Sequence, residues 1–178
     1  MSTGAESRAV EEFRSAALAY CRLLEDIDTI ELSAFVRSCH ESLAKLYLAG
    51  LSLPLVEPGT EDATHRRDYA RWKVVYDTLA RKLGDHNLYW LVFDPCDRDD
   101  RRAIQHTLAD DLAGVYDDVK EGLEPWPPST NTEADDRVWD WRFGFENNWG
   151  RYAGNAIRVL WSLIYQHLDA DEQGVESA

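Results

Sequence analysis

The sequence is poor in cysteine, in proline and in long apolar runs. Its three cysteines, Cys21, Cys39 and Cys96, form no Cys-x-x-Cys pair, a pattern typical of a reducing cytoplasm rather than of a disulfide framework. No apolar run approaches the roughly 20 residues that a helix needs to cross a bilayer, and the N-terminal residues lack the apolar core of a signal peptide. We therefore expect a cytoplasmic protein with no membrane partner.

Positive charge is also scarce. The 19 Lys and Arg residues stand against 33 Asp and Glu residues, which gives a net charge of −14. An acidic surface of this kind repels phosphate backbones, so we expect no nucleic-acid partner.

Apolar side chains are abundant by contrast: 44% of the residues are hydrophobic and seven are Trp. This content is enough to build a core, which excludes an intrinsically disordered chain. The length suits a single domain over residues 1–178, with residues 1–5 and 170–178 as flexible tails.

Proline placement predicts the helices. The six prolines fall in three breaks, and apolar residues between the breaks recur at the 3.6-residue period of a helix. We predict an antiparallel helix pair first, a third helix ended by Gly84, a fourth over residues 99–123 with Ile104 inward, and a last one over residues 132–167. No strand pattern is evident, and residues 89–95 (YWLVFDP) are either a single helical turn or an extended segment.

The last predicted helix differs from the others because it carries two apolar stripes. One contains Trp139 and Phe143, and the other contains Trp141, Phe145 and Trp149. A helix that is apolar around most of its circumference is usually central. The prediction is therefore an all-α, single-domain bundle of about five to six helices around a buried C-terminal helix, with a kink at Gly150 left open.

A polar cluster interrupts this helix. Glu146 lies within an apolar stripe, where a carboxylate needs a partner, and Arg142 is one turn earlier. Asn148 and Arg151 add polar groups to the same stretch. The cluster is a candidate ligand site, or a structural ion pair that fixes the register of the helix.

The fourth helix supplies possible counterparts, since two Asp pairs lie seven residues apart. A helical wheel turns Asp110 and Asp117 to solvent and places Asp111 and Asp118 beside the apolar stripe. A solvated acidic edge is the simpler interpretation. The full candidate cluster comprises Asp111, Asp118, Arg142, Glu146, Asn148 and Arg151.

Known catalytic patterns do not fit. The histidines lack ligand spacing, and the chain has neither a Gly-rich phosphate loop nor a nucleophile elbow. We assign no catalytic residue, metal or cofactor, and we interpret the Asp-rich residues 94–100 as a turn followed by an N-cap. Trp126, in a Pro-rich loop, is a candidate interface residue, unless it packs back onto the bundle.

Three segments, YWLVFDP, DDLAGVYDDVKEGL and VWDWRFGFENNWGRYAGNAIRVL, resemble in the same order a bacterial family of uncharacterised proteins, the 5063 family of domains of unknown function. The resemblance covers roughly the last half of the chain and supports the helical fold, but it brings no established activity. Some relatives have His where this chain has Asn148. The residues that fall on the pattern are Asp94, Asp110, Asp111, Asp118, Trp139, Trp141, Trp149 and Gly150.

Three hypotheses for function follow. The first is a non-catalytic, acidic protein-interaction module, a monomer or homodimer with an unidentified protein partner. The second is a small-molecule or metal-dependent hydrolase that uses the interhelical Asp/Glu/Arg pocket. The third, motivated only by charge, is a DNA mimic or an immunity-type inhibitor. The absence of a catalytic pattern favours the first hypothesis over an enzyme.

Overall fold

The computed structural model describes residues 8–59 and 68–168. Within these ranges the chain forms six α-helices and one two-stranded sheet, which confirms the predicted helical domain. The elements are α1 (Arg8–Glu25), α2 (Leu32–Leu51), α3 (Tyr69–Leu83), β1 (Leu88–Val92), β2 (Ala103–Thr107), α4 (Leu108–Lys120), α5 (Asn131–Asn147) and α6 (Trp149–Ser162), the last continuing as a π-helical segment, Leu163–Leu168. The predicted flexible tails at residues 1–5 and 170–178 lie outside the described residues.

The first two helices pack as the predicted antiparallel pair. The apolar stripe of α1 is buried from Val10 to Leu24 and faces the buried stripe of α2. The Glu31 side chain caps α2 by accepting a hydrogen bond from the Ser33 backbone N–H at 2.8 Å. Tyr20, fully buried in α1, donates its hydroxyl proton to the Leu112 carbonyl at 2.9 Å, which ties this pair to α4.

A β-hairpin replaces the first third of the predicted fourth helix. The helix begins at Leu108, and the preceding residues pair antiparallel with β1, Tyr89 opposite His106 and Leu91 opposite Ile104. The extended alternative for residues 89–95 is therefore the correct one. Ile104, predicted to face inward, is 42% exposed.

The Asp-rich segment between the strands explains this correction. The Asp94 carboxylate accepts from the Cys96 backbone N–H at 2.8 Å, and the Asp97 carboxylate accepts from the Asp99 N–H at 2.9 Å. Such local bonds compete with helix formation and favour turns. The predicted turn is present, but the N-cap of α4 is Thr107 and not part of this segment.

The last predicted helix is two helices that meet at Asn148. The backbone there has φ −142° and ψ −85°, outside the helical range, so the helix is interrupted two residues before Gly150. A Cβ at Gly150 would lie 2.2 Å from the Phe145 carbonyl oxygen, so only glycine allows α5 to turn so tightly into α6. Trp141 and Trp149 are buried on either side of the break, whereas Phe143 is half exposed.

The core lies around α4 and α6, which pack against each other. Helix α6 also packs against α2 and α5, and this confirms the predicted buried helix near the C-terminus. Helix α4 is equally central: all its residues from Asp111 to Val119 are buried. No helix in residues 8–59 and 68–168 is long and apolar enough to cross a membrane.

Candidate functional site

The structure places the six predicted cluster residues in three separate places. The first is the Arg142–Glu146 pair on α5. Arg142 Nε lies 2.6 Å from Glu146 Oε1, and Arg142 Nη1 donates to the Leu53 carbonyl at 2.7 Å. Glu146 is on the surface, with 48% of its side chain exposed. The pair therefore holds α5 to the residues that follow α2.

The second place is the break between α5 and α6. The Asn148 side-chain amide donates to the carboxylate of Asp118, which is 6% exposed. Asn148 has left the helical backbone, so its amide reaches across to α4. This contact holds the junction of α5 and α6 against α4 and therefore has a structural role.

Asp117, predicted to face solvent, is fully buried beside Asp118. Its Oδ1 accepts two hydrogen bonds from the Arg71 guanidinium on α3, from Nη2 at 2.8 Å and from Nε at 3.0 Å. Helix α3 covers the side of α4 that the helical wheel assigned to solvent. The wheel, which considers one helix alone, could not anticipate this packing.

The third place lies under the hairpin, at the first turn of α4. Asp111 is fully buried, and its carboxylate accepts the hydroxyl proton of Tyr89. Asp111 Oδ1 also lies 3.1 Å from His106 Nε2, and Asp110 Oδ2 lies 3.6 Å from the same nitrogen. The rings of Tyr89 and His106, cross-strand neighbours, meet edge to face with centroids 5.6 Å apart.

Sequence reasoning missed Tyr89 and His106. Tyr89 lies in the YWLVFDP segment whose structure was left open, and His106 was placed inside a helix. The available signal was composition: aromatic and β-branched residues, which strands favour, are frequent in LYWLV, and the partner segment AIQHT contains Ile104 and Thr107.

Burial sets the protonation of this network. Removal from water raises the pKa of Asp111 to about 6, while the hydrogen bonds from Tyr89 and His106 act in the opposite direction. Burial, and next the neighbouring Asp111 carboxylate, raises the pKa of Tyr89 well above its usual range. The carboxyl group of Asp111 can therefore exchange a proton near neutral pH.

A small cavity of about 200 Å³ opens beside the network. His106 and Asp110 form one wall, and Arg151, Tyr152 and Asn155 of α6 form the other. Asp111 lies behind His106, so the imidazole is the member of the network that borders the cavity. Of the predicted cluster, only Asp111 and Arg151 come together here.

Two open grooves lie along β1, with volumes of about 380 and 830 Å³, and the larger one shares Phe93 and Arg151 with this cavity. Trp90 and Arg158 line both grooves. The side chains of Trp90 and Phe93 are 63% and 66% exposed. We call this region the hairpin–α6 surface, defined by Trp90, Phe93, Ile104, Arg151, Asn155 and Arg158.

The arginines of the hairpin–α6 surface have no acidic partner among the residues that the structure describes. Arg151 lies over the Phe93 ring, 5.1 Å from its centre, and Arg158 Nη2 donates to the Trp90 carbonyl at 3.4 Å. Neither forms an ion pair with a carboxylate in the described part of the chain, although Asp and Glu outnumber Lys and Arg by 33 to 19. Two unpaired cations beside exposed aromatic rings suit an anionic partner.

A metal centre finds no support in the geometry of residues 8–59 and 68–168. No group of three or more His, Cys, Asp or Glu side chains there is arranged to hold a metal ion. The His106 cluster offers one imidazole nitrogen that already faces two carboxylates. The chemistry available is acid–base exchange and hydrogen bonding.

Trp126, the candidate interface residue, packs back onto the bundle. Its ring centre lies 5.8 Å from that of Trp141, and the Arg14 guanidinium lies 4.4 Å above its ring. Its indole N–H donates to Glu11 at 3.1 Å. Three side chains of the bundle therefore contact this ring, which corresponds to the alternative that Trp126 packs back onto the bundle.

Comparison with known proteins identifies the family. The chain matches the family described as domain of unknown function (DUF5063) over residues 5–166, nearly the whole chain rather than the last half alone, and it belongs to that family. A solved structure, protein BF1032 from Bacteroides fragilis, is similar with a TM-score of 0.76 and 25% sequence identity, and the similarity covers 90% of this chain and 94% of that one. A search of curated proteins found no match.

Proposed function

We propose that this member of the DUF5063 family is a non-catalytic interaction module that binds a protein partner through the hairpin–α6 surface. One observation carries the proposal: the exposed aromatic side chains of the hairpin lie next to two arginines without acidic partners. Tyr, Trp, Phe and Arg are the residues that interfaces favour, and they dominate binding energies. Trp126, by contrast, plays no part in the proposed interface.

The energetics of exposure support the same interpretation. Five apolar side chains of the hairpin region are between 37% and 66% exposed, and such an accumulation of exposed apolar area typically marks a binding site. Burying such area contributes about 25 cal/mol per Å². The five residues are Leu88, Trp90, Val92, Phe93 and Ile104.

Site-specific photo-crosslinking in the source cell tests this proposal. A photoreactive phenylalanine analogue at Trp90 or Phe93 is expected to give one dominant crosslinked protein. The matched control places the analogue at Val74, which is 67% exposed on α3. Equal crosslinking from Val74, or none from either hairpin position, would contradict the proposal. A crosslink between two copies of the chain would identify the partner as a second protomer.

A specific observation also favours a second candidate, a small-molecule hydrolase. The Tyr89–Asp111–His106 network borders a cavity, and a His that a buried carboxylate orients can act as a general base toward water. This site differs from the interhelical pocket inferred from sequence, because Asp118, Arg142 and Glu146 lie elsewhere.

The hydrolase candidate requires activity that depends on His106. Turnover of p-nitrophenyl acetate or p-nitrophenyl phosphate by the full chain, abolished in His106→Gln with an unchanged circular dichroism spectrum, would support it. Turnover that survives in His106→Gln comes from elsewhere and counts against this site. Absence of turnover leaves the interaction module as the better account.

A further inference from the structure

The edge of β1 opposite β2 has no neighbouring strand among residues 8–59 and 68–168. The Trp90 carbonyl accepts a hydrogen bond from Arg158, a residue of α6 and not of the paired strand β2. In an antiparallel strand the N–H and C=O of one residue point the same way, and the next residue points the opposite way. Trp90 therefore turns its backbone groups to the open edge, as do Leu88 and Val92, while Tyr89 and Leu91 face β2.

Two grooves are lined by residues of this edge. Leu88 and Trp90 line the 380 Å³ groove, and Trp90 and Val92 line the 830 Å³ groove. Unpaired edge groups next to a groove are the usual template for strand addition by a peptide. The hydrogen bond that the Trp90 carbonyl accepts from Arg158, at 3.4 Å, is long and readily replaced.

The charges around the edge decide the kind of peptide. Arg151 and Arg158 of α6 line the grooves, Arg158 both of them, whereas each groove has one acidic lining residue, Asp85 in one and Asp94 in the other. Asp110 lines the smaller cavity beside Arg151. The arginines are two helical turns apart, roughly 10 Å along α6. An extended peptide covers this distance in about three residues, at about 3.3 Å per residue.

We propose that β1 binds an extended acidic segment of a protein partner, which adds as a third strand and places two carboxylates on Arg151 and Arg158. This inference rests on the proposed function. It requires acidic residues two to four positions apart, with apolar residues between them to contact Trp90. Two copies of β1 paired edge to edge would instead bring two sets of arginines into one interface, which like-charge repulsion disfavours.

Peptide display tests the inference with a defined probe. Random twelve-residue peptides are selected on the full chain, and enriched peptides are expected to carry Asp or Glu two to four positions apart. The double variant Arg151→Glu/Arg158→Glu is expected to bind them at least about tenfold more weakly, since like charges then face each other. Both positions are on the surface, and circular dichroism checks the fold of the variant.

Strand addition has its own signature. N-methylation of alternate amides of an enriched peptide should abolish binding, and methylation of the intervening amides should be tolerated, because only every second N–H faces β1. On the protein, Val92→Pro removes an edge N–H that β2 does not use and should weaken binding about tenfold or more. Val92→Thr is the matched control and should bind like the native chain.

Each contrary result would overturn a defined part of the inference. Enriched peptides without acidic residues, or binding unaffected by charge reversal, would overturn the choice of an acidic partner. Binding that tolerates methylation at every amide would overturn strand addition, and failure to enrich any peptide would overturn the inference as a whole. Photo-crosslinking from Trp90 would still test the proposed function independently.

Discussion

The two ends of α4 carry the same pair of residues with opposite consequences. Asp110 and Asp111 open the helix, and Asp117 and Asp118 repeat the pair seven residues later. At the start, Asp111 is buried against a hydroxyl group and an imidazole and supports the hairpin. At the end, Asp117 is buried against a guanidinium and locks the bundle. A buried carboxylate thus stabilises the bundle when its partner carries a permanent charge, and it can support a surface hairpin when its partners are a hydroxyl group and an imidazole.

The partners explain the contrast. Arg71 keeps its charge at all relevant pH values, so Asp117 has a permanent counter-charge at 2.8 Å. Asp111 has only a hydroxyl group and an imidazole, and burial raises the pKa of its carboxyl group to about 6. The start of α4 is therefore responsive to pH.

Loss of the Arg71–Asp117 ion pair at the end of α4 should have the largest effect on the free energy of unfolding. Arg71→Ala removes the guanidinium from a fully buried carboxylate and is expected to lower the free energy of unfolding by about 3 kcal/mol. Urea denaturation at pH 7 measures it. Lys73→Ala on the same helix, from an exposed pair with Asp77, is the control and should cost under about 1 kcal/mol. Equal losses of stability in the two variants would contradict the distinction between the buried pair with Asp117 and the exposed pair with Asp77.

The same substitution at the two ends should have opposite signs. At pH 7, Asp111→Asn is expected to raise the free energy of unfolding by about 2 kcal/mol, because it replaces a carboxylate whose native pKa lies above its unfolded value. Asp117→Asn should lower it, because Arg71 loses its counter-charge.

The pH dependence follows from the direction of the shift. Between about pH 4 and pH 6 the native chain binds more protons at Asp111 than the unfolded chain does. The stabilising contribution of protonated Asp111 is thus complete below about pH 4 and is lost as the pH rises through 6. The advantage of Asp111→Asn should vanish at pH 4 in parallel urea titrations. Destabilisation by both Asn variants at pH 7 would contradict the comparison.

Tyr89→Phe should have a smaller effect on stability and a diagnostic one on titration. It removes a hydrogen bond to a charged group, which contributes about 1.5 kcal/mol. Because that bond holds the pKa of Asp111 down, the pKa should rise further, as a carboxyl-carbon NMR titration would show. Tyr116→Phe is the control, since Tyr116 donates to the partly exposed Glu25 instead. An unchanged Asp111 titration would contradict the network.

The smallest effect is expected at the Arg142–Glu146 pair, part of the polar cluster that the sequence singled out. Glu146→Gln should change the free energy of unfolding by no more than about 0.5 kcal/mol, because the pair is near the surface and Arg142 keeps its bond to Leu53. Thermal denaturation measures it against Asp77→Asn, another exposed carboxylate in an ion pair of the same spacing. A loss of several kcal/mol would show that the pair belongs to the core.

Much of the bundle could be predicted from the sequence because its helices are determined by residues close together in the chain. The stripes of α1 and α2 follow from the helical period, and Gly84 ends α3 with φ at +52°, a conformation that glycine adopts freely. The places of Asp111 and Asp118 beside an apolar stripe also follow from the helical period, although a solvated acidic edge was the simpler interpretation of residues that are in fact buried. Each of these features depends on residues within one or two turns.

The remainder depends on contacts between distant segments. Pairing β1 with β2 joins segments more than ten residues apart, and no short window contains both strands. The burial of Asp117 depends on the position of α3, and the break at Asn148 depends on its bond to Asp118. His106 and Tyr89 became visible as site residues only after the hairpin brought them to Asp111.

Native-state amide hydrogen exchange tests the contrast between the two ends most directly. We predict that the paired amides of Tyr89, Leu91, Ile104 and His106 exchange through a local opening of the hairpin, with a free energy well below that of global unfolding, because a two-stranded sheet is marginally stable by itself. Amides from Val115 to Val119, in the last turns of α4, should exchange only when the whole bundle unfolds. One common opening free energy for both groups would contradict the account.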